Sequence, residues 1–151
     1  MKSISVQEAD FSIEHEVNLL RSQSKRVGAI VTFSGLVRDI NEGDSISTMF
    51  LEHYPGMTEK SLENIAEQAF KRWQLIGVRI IHRVGLLKPT DNIVFVGVSS
   101  EHRGDAFAAC EFIMDYLKTN APFWKKEQTP DGERWVDAKE SDEVKKGKWN
   151  G

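Results

Sequence analysis

Residues 99–127 read SSEHRGDAFAACEFIMDYLKTNAPFWKKE. This stretch divides into the end of a strand, a basic turn, a long amphipathic helix, a proline stop and a lysine-rich strand. Ala106, Phe107, Cys110, Ile113, Met114 and Leu117 recur at helical spacing, which predicts a helix over about residues 104–119 with these side chains as its buried stripe. Pro122 lacks the amide proton needed to continue, so the helix must stop before it. His102 and Arg103 fall at the helix start, Lys118 near its end, and Lys125 in the strand beyond. Rigid elements aim side chains at their tips, so these are natural places for chemistry.

Upstream, the nearly continuous apolar run at residues 93–98 predicts a central strand covered on both faces, and residues 78–84 predict another. Before them Leu62, Ile65, Ala66, Ala69, Phe70 and Trp73 mark one face of a second helix, with Thr58 expected as its N-cap. Residues 27–37 alternate at period two, with Gly35 expected to mark a bulge, and residues 46–54 form a further strand. The polar turn between these two predicts that they pair as a hairpin. Nearer the start come a short strand at residues 3–7 and a short helix capped by Ser12. Beyond the quoted stretch, Pro130-Asp131-Gly132 turns the chain into a last strand at residues 134–138. Hairpin-length connections interrupt any βαβ alternation, which favours an α+β fold. Residues 1–140 are expected to form a single domain and residues 141–151 a loose polar tail.

With 151 residues, 40% hydrophobic and 28% charged, the chain is that of a soluble globular domain. The net charge of -3 lacks the basic excess usual in general nucleic-acid binders. The first residues lack the apolar run of a signal peptide, and no stretch approaches the roughly 20 apolar residues of a membrane span. A single cysteine, Cys110, rules out an intrachain disulfide and a cysteine-based metal cage; the expectation is a cytoplasmic protein.

A helix N-terminus attracts anions, and Ser99, Ser100 and Arg103 add donors suited to a phosphate. The other reading is an ordinary ion pair between Arg103 and Asp105; an arginine opposing the helix dipole tips the balance toward an anion. Lys118 lies at the border of the buried face, either snorkelling or held as an amine of lowered pKa for nucleophilic or proton-transfer work. On a strand Phe123, Lys125 and Glu127 share one face and Trp124 and Lys126 the other, in a cleft wall or on a lysine-protected edge. Arg38 ends a strand, where it could simply pair with Asp39 or Glu42. His15, His53 and His82 show no metal-ligand spacing and read as structural; Cys110 reads as inert core.

Several of these stretches resemble one family in order: GAIVTFSGLVRD, LEHYPGMTEKSL, HRVG, VFVGVSSEHRGDAF, FIMDYLKTNAPFWKKE and a later G-x-x-W-V, over roughly residues 28–138. They resemble the catalytic, large subunit of molybdopterin synthase. The resemblance implies an α/β-hammerhead fold, mostly antiparallel, with two long helices and an additional small β subdomain. It also implies a sulfurtransferase in molybdenum cofactor biosynthesis that turns cyclic pyranopterin monophosphate into molybdopterin. Sulfur would come from the C-terminal Gly-Gly thiocarboxylate of a small ubiquitin-like subunit. Two large subunits would form a homodimer at the centre of a heterotetramer, with no cofactor, metal, nucleic acid or membrane partner. Matched motif by motif, the resemblance makes Lys118 and Lys125 catalytic. Arg38, His102, Arg103, Lys118, Lys125, Lys126 and Glu127 are then the substrate-binding set. A non-catalytic scaffold for a ubiquitin-like tail, and a Schiff-base lysine enzyme acting on a phosphorylated carbonyl compound, are the alternative readings. Because the long helix would keep its two ends roughly 24 Å apart, the His102–Arg103 end is expected to serve the site of the other subunit in the dimer.

Overall fold

The computed structural model describes residues 1–41, 44–45, 47–136, 147 and 149. Among the described residues the main elements are two four-stranded sheets and three helices. The first sheet contains β1 (Lys2–Gln7), β2 (Ala29–Leu36), β6 (Gly77–Arg83) and β8 (Asn92–Ser100), in the order β1-β6-β8-β2. Only β1 and β6 run parallel; the other pairs are antiparallel. The second sheet is antiparallel throughout, with β5 (Thr48–His53), β7 (Gly85–Leu87), β9 (Phe123–Thr129) and β10 (Gly132–Val136) in the order β10-β9-β5-β7. A two-stranded ribbon, β3 (Ile40–Asn41) and β4 (Asp44–Ser45), lies between β2 and β5 in the chain. This is the expected α+β class.

β8 carries the architecture. Val94, Val96 and Val98 join Leu62, Ile65, Ala66 and Ala69 of α2 (Met57–Arg72) in one core with Ala106, Ala109, Cys110, Phe112, Ile113 and Leu117 of α3 (Arg103–Asn120). On the reverse face, Phe95 packs with Ile81 and with Leu20 of α1 (Ile13–Arg21). Each of the buried valine, leucine, isoleucine and phenylalanine side chains among them contributes about 1.5–3 kcal/mol by leaving water. Helices on both faces explain why β8 reads as an unbroken apolar run. Ser12 caps α1 by accepting the His15 amide at 3.2 Å, and the β2–β8 register shifts at Gly35, as expected.

Several expectations are corrected. β2 does not form a hairpin with β5: it pairs along its length with β8, and β5 belongs to the other sheet. Asn41 and Asp44 of the expected turn instead pair with each other in the short β3–β4 ribbon. Thr58 is not the cap of α2; Gly56 is, at φ 87°, a conformation that favours glycine, with its amide donating to Glu59 at 3.2 Å. Phe107 is 61% exposed, while Phe112 is buried against Trp73 and Tyr116. β9 is an interior strand between β10 and β5, which excludes the protected-edge reading of its lysines. The end of the strand expected at residues 134–138 and most of the tail lie outside the described residues. Trp149 is no part of a loose tail, however: its indole N–H donates to Asp115 at 2.6 Å, and its ring meets Trp73 and Phe112 edge-on.

Gly28 sits where β2 crosses the mouth of α3. Its amide donates to the Ser100 carbonyl at 3.0 Å, and a Cβ here would collide with the backbone carbonyl of Glu101. A peptide carbonyl tied into the strand end cannot yield as a side chain can. Gly28→Ala is therefore expected to cost about 1–3 kcal/mol, read as a lower urea midpoint at unchanged slope.

Candidate functional site

At the seam between the sheets lies a cleft of about 470 Å³. The end of β2 and the segment after it supply Phe33, Leu36, Val37 and Arg38; the C-terminal turn of α3 supplies Leu117 and Lys118; β9 supplies Phe123, Lys125 and Glu127. Met49 and Leu51 of β5, His82 of β6 and Val136 of β10 complete much of the wall. Arg38, Lys118 and Lys125, far apart in sequence, thus line one cavity. Arg38 and Lys118 are exposed and Lys125 is half-buried.

Strand alternation turns Phe123, Lys125 and Glu127 to the cleft. The cross-strand neighbours of Lys125 are Leu51 and Val136, so its stem is flanked by hydrocarbon. Glu127 is 4% exposed and lies opposite Arg134, whose Nε donates to its carboxylate at 3.4 Å. Lys126 takes the opposite face, where its ammonium meets Glu133 at 2.8 Å and stands 5.5 Å from the Trp135 ring centre. That side chain lines a separate depression of about 330 Å³, with Phe50 and Leu86.

His102 and Arg103 are not in the cleft. They begin α3, and the 18 residues of that helix span about 27 Å to its far end. Both are exposed. Asp105, considered above as a partner for Arg103, instead accepts the Gln74 amide at 3.2 Å, and Glu101 pairs with Arg26 and approaches His102 at 4.0 Å.

His82 is a part of the cleft that sequence reading passed over as structural. It is 6% exposed, its ring is stacked 3.7 Å from that of Phe123, and Nδ1 lies 2.8 Å from the Arg83 carbonyl oxygen. Burial drives its pKa down to about 3; Lys118, Lys125 and His53 push the same way, and the hydrogen bond to Arg83 opposes them. No local signal distinguishes such a histidine from a core one, because its neighbours come from α3, β9 and β5. Cys110 is also buried, and burial, aided by Glu111, raises its thiol to about 11, which leaves it protonated and unreactive. Among the described residues no group of three or more His, Cys, Asp or Glu side chains could hold a metal, and no helix is long and apolar enough to cross a membrane.

An α+β scaffold here holds three cationic side chains around a half-apolar cleft, the form of a small-molecule pocket with a few placed polar groups. Comparison with known proteins specifies it further. The sequence profile described as MoaE protein matches residues 6–120. A molybdopterin synthase catalytic subunit of Ralstonia nicotianae is 59% identical over 149 residues, 99% of this chain and 85% of that protein. The solved structure of a molybdopterin biosynthesis MoaE protein from Burkholderia ambifaria superposes with a TM-score of 0.86 at 53% identity, covering 100% of this chain and 99% of that one. The crystal structure of molybdopterin synthase from Staphylococcus aureus gives 0.80 at 32% identity, over 87% of this chain and 94% of that one. The chain belongs to the MoaE family, the catalytic subunits of molybdopterin synthase, and is thereby an enzyme of molybdenum cofactor biosynthesis.

The buried histidine makes stability depend on pH in a definable window. Its folded pKa of about 3 lies below the ordinary value of 6.5, so between these values the unfolded chain binds more protons. This contribution is intact above about pH 6.5 and is lost as pH falls toward 3, at up to about 1.4 kcal/mol per pH unit. Urea unfolding from about pH 7 to 4 should show the native protein losing stability relative to His82→Phe at roughly that slope; parallel curves would contradict it.

Proposed function

We propose that the protein converts cyclic pyranopterin monophosphate into molybdopterin by installing the two dithiolene sulfurs. Each sulfur arrives as a thiocarboxylate on the C-terminal glycine of a small ubiquitin-like subunit, whose tail enters the cleft. The observation that carries this reading is the convergence of Arg38, Lys118 and Lys125 on one cavity, while the chain's single cysteine is buried and protonated. A sulfurtransferase without a reactive thiol must receive its sulfur from outside. The relatives' name, catalytic subunit, supports a second subunit as the carrier. A lone buried thiol suits a reducing compartment, and we assign the reaction to the cytoplasm.

In this scheme Arg38 holds the substrate phosphate or pterin through its planar fork. Lys118 meets the thiocarboxylate and stabilises the negative charge that develops on its acyl oxygen during transfer, or passes protons. Lys125, with its stem against Leu51 and Val136, acts on the pterin side, and Glu127 closes that wall. His102 and Arg103, a helix length away from Lys118, hold the substrate of the other subunit in a homodimer at the centre of a heterotetramer.

Dithiolene formation by the chain with a thiocarboxylated small subunit and the pterin precursor tests the chemistry. Lys118→Ala is expected to abolish turnover, by at least about a hundredfold, with the fold kept, and Cys110→Ala to retain it apart from a stability loss. Wild-type turnover by Lys118→Ala would refute the role of that lysine, and complete loss in folded Cys110→Ala would refute an external sulfur source. Sharing across the dimer has its own test. Mixed dimers of Lys118→Ala and Arg103→Ala chains should regain one working site and up to about half the native activity. Mixtures no more active than their parents would show each site to be built from one chain.

A further inference from the structure

His82 is a titratable side chain in the cleft wall for which the reaction scheme above has no use. It closes the row Val78, Ile80, His82 on the face of β6 that joins the main core. Its register partners, Val6 on β1 and Val94 on β8, are apolar. The ring lies nearly flat on Phe123, with centres 3.7 Å apart and planes inclined by 17°. A carbonyl oxygen can only accept, so the 2.8 Å contact with Arg83 puts the proton on Nδ1 and leaves Nε2 of the uncharged ring as an acceptor. The titratable groups acting on it are Lys118 from α3, Lys125 from β9 and His53 from β5. The Arg83 guanidinium is engaged elsewhere, with the Glu8 carbonyl at 2.9 and 3.1 Å and that of Asn92 at 3.0 Å.

The alternatives show what such a ring accomplishes. A carboxylate here would neutralise one of the ammonium groups and weaken the cleft for an anionic substrate. A protonated imidazole would be a further cation with no water to solvate it. A branched aliphatic side chain would fill the space without offering a flat face to Phe123. That face matters because Phe123 starts β9, two residues before Lys125, and its amide is already held by Ala121 at 2.9 Å. Any shift of the Phe123 ring is passed along a tight corner into the strand.

We propose that His82 is a positioning residue for sulfur transfer: with its tautomer locked by the Arg83 carbonyl, its ring clamps Phe123 and so sets where β9 holds the Lys125 ammonium. This rests on the assignment of Lys125 to the reaction made above. Steady-state turnover of the full chain with its thiocarboxylated small subunit and the pterin precursor is the first measurement. His82→Ala is expected to lower kcat by about tenfold or more, with KM for the pterin changed less than about threefold. His82→Phe keeps a flat ring on Phe123 and should recover most of kcat. Native kcat in folded His82→Ala would overturn the proposal, and so would equal losses in the two variants at equal stability. Nitrogen-15 spectroscopy of the native ring requires no variant. It should find the proton on Nδ1 and no titration between about pH 5 and 8; a proton on Nε2, or a ring that titrates in this range, would overturn the proposal. Native turnover by Lys125→Ala would remove the reading of the reaction itself. Loss in Lys125→Ala without loss in His82→Ala would remove only the role of His82.

Discussion

One buried hydroxyl joins the two halves of the fold. Thr58 is fully buried; its Oγ1 accepts the Tyr54 amide at 2.9 Å and donates to the Pro122 carbonyl at 3.0 Å. The first bond ties the turn between β5 and α2, the second the corner between α3 and β9. α3 is packed on the first sheet and β9 is paired in the second, so this corner is where one layer hands the chain to the other. Proline ensures that the helix stops there. The cleft exists because the corner holds the second sheet beside the end of α3, and Lys118 and Lys125 share a wall because they lie on its two sides.

The charge arrangement follows from that geometry. The chain carries a net charge of -3, yet the cleft gathers three cations. On other faces Arg79 pairs with Glu16 at 2.7 Å and Lys126 with Glu133 at 2.8 Å. Local concentration of positive charge, not overall charge, draws an anion into a site, and low-dielectric walls focus it. Phe33, Leu36, Met49 and Leu51 supply such walls.

Much of this was legible in the residues. The α+β class, the central placement of β8, the proline stop and the alternation of Phe123, Lys125 and Glu127 are local or periodic properties, and sequence carries those directly. Apart from the glycine cap of α2, which is local, the misread features depend on distant partners. Nearness in the chain favours pairing β2 with β5, whereas β8 offers a longer apolar edge more than fifty residues away. Phe107 and Phe112 both fit an apolar helix, and the choice between them is made by Trp73 and Trp149, which build an aromatic cluster around Phe112. His82 reads as structural in sequence because its setting is assembled from three other elements.

The strand order of the first sheet has a consequence for how the chain comes to be folded. In β1-β6-β8-β2 the strands β1 and β2 have no partner until residues 77–100 exist. Closing such long loops costs entropy before any ladder forms, so this sheet is slow to assemble compared with a meander. A ribosome adding about 5–20 residues per second leaves β1 and β2 waiting for several seconds. During that interval the β2 segment, AIVTFSGL, is an apolar strand with both edges open. An early amphipathic cover from α1 would shorten its exposure, whereas slower synthesis would lengthen it. The strand that later carries the chain to Arg38 is thus also the segment most at risk of pairing with another copy at birth.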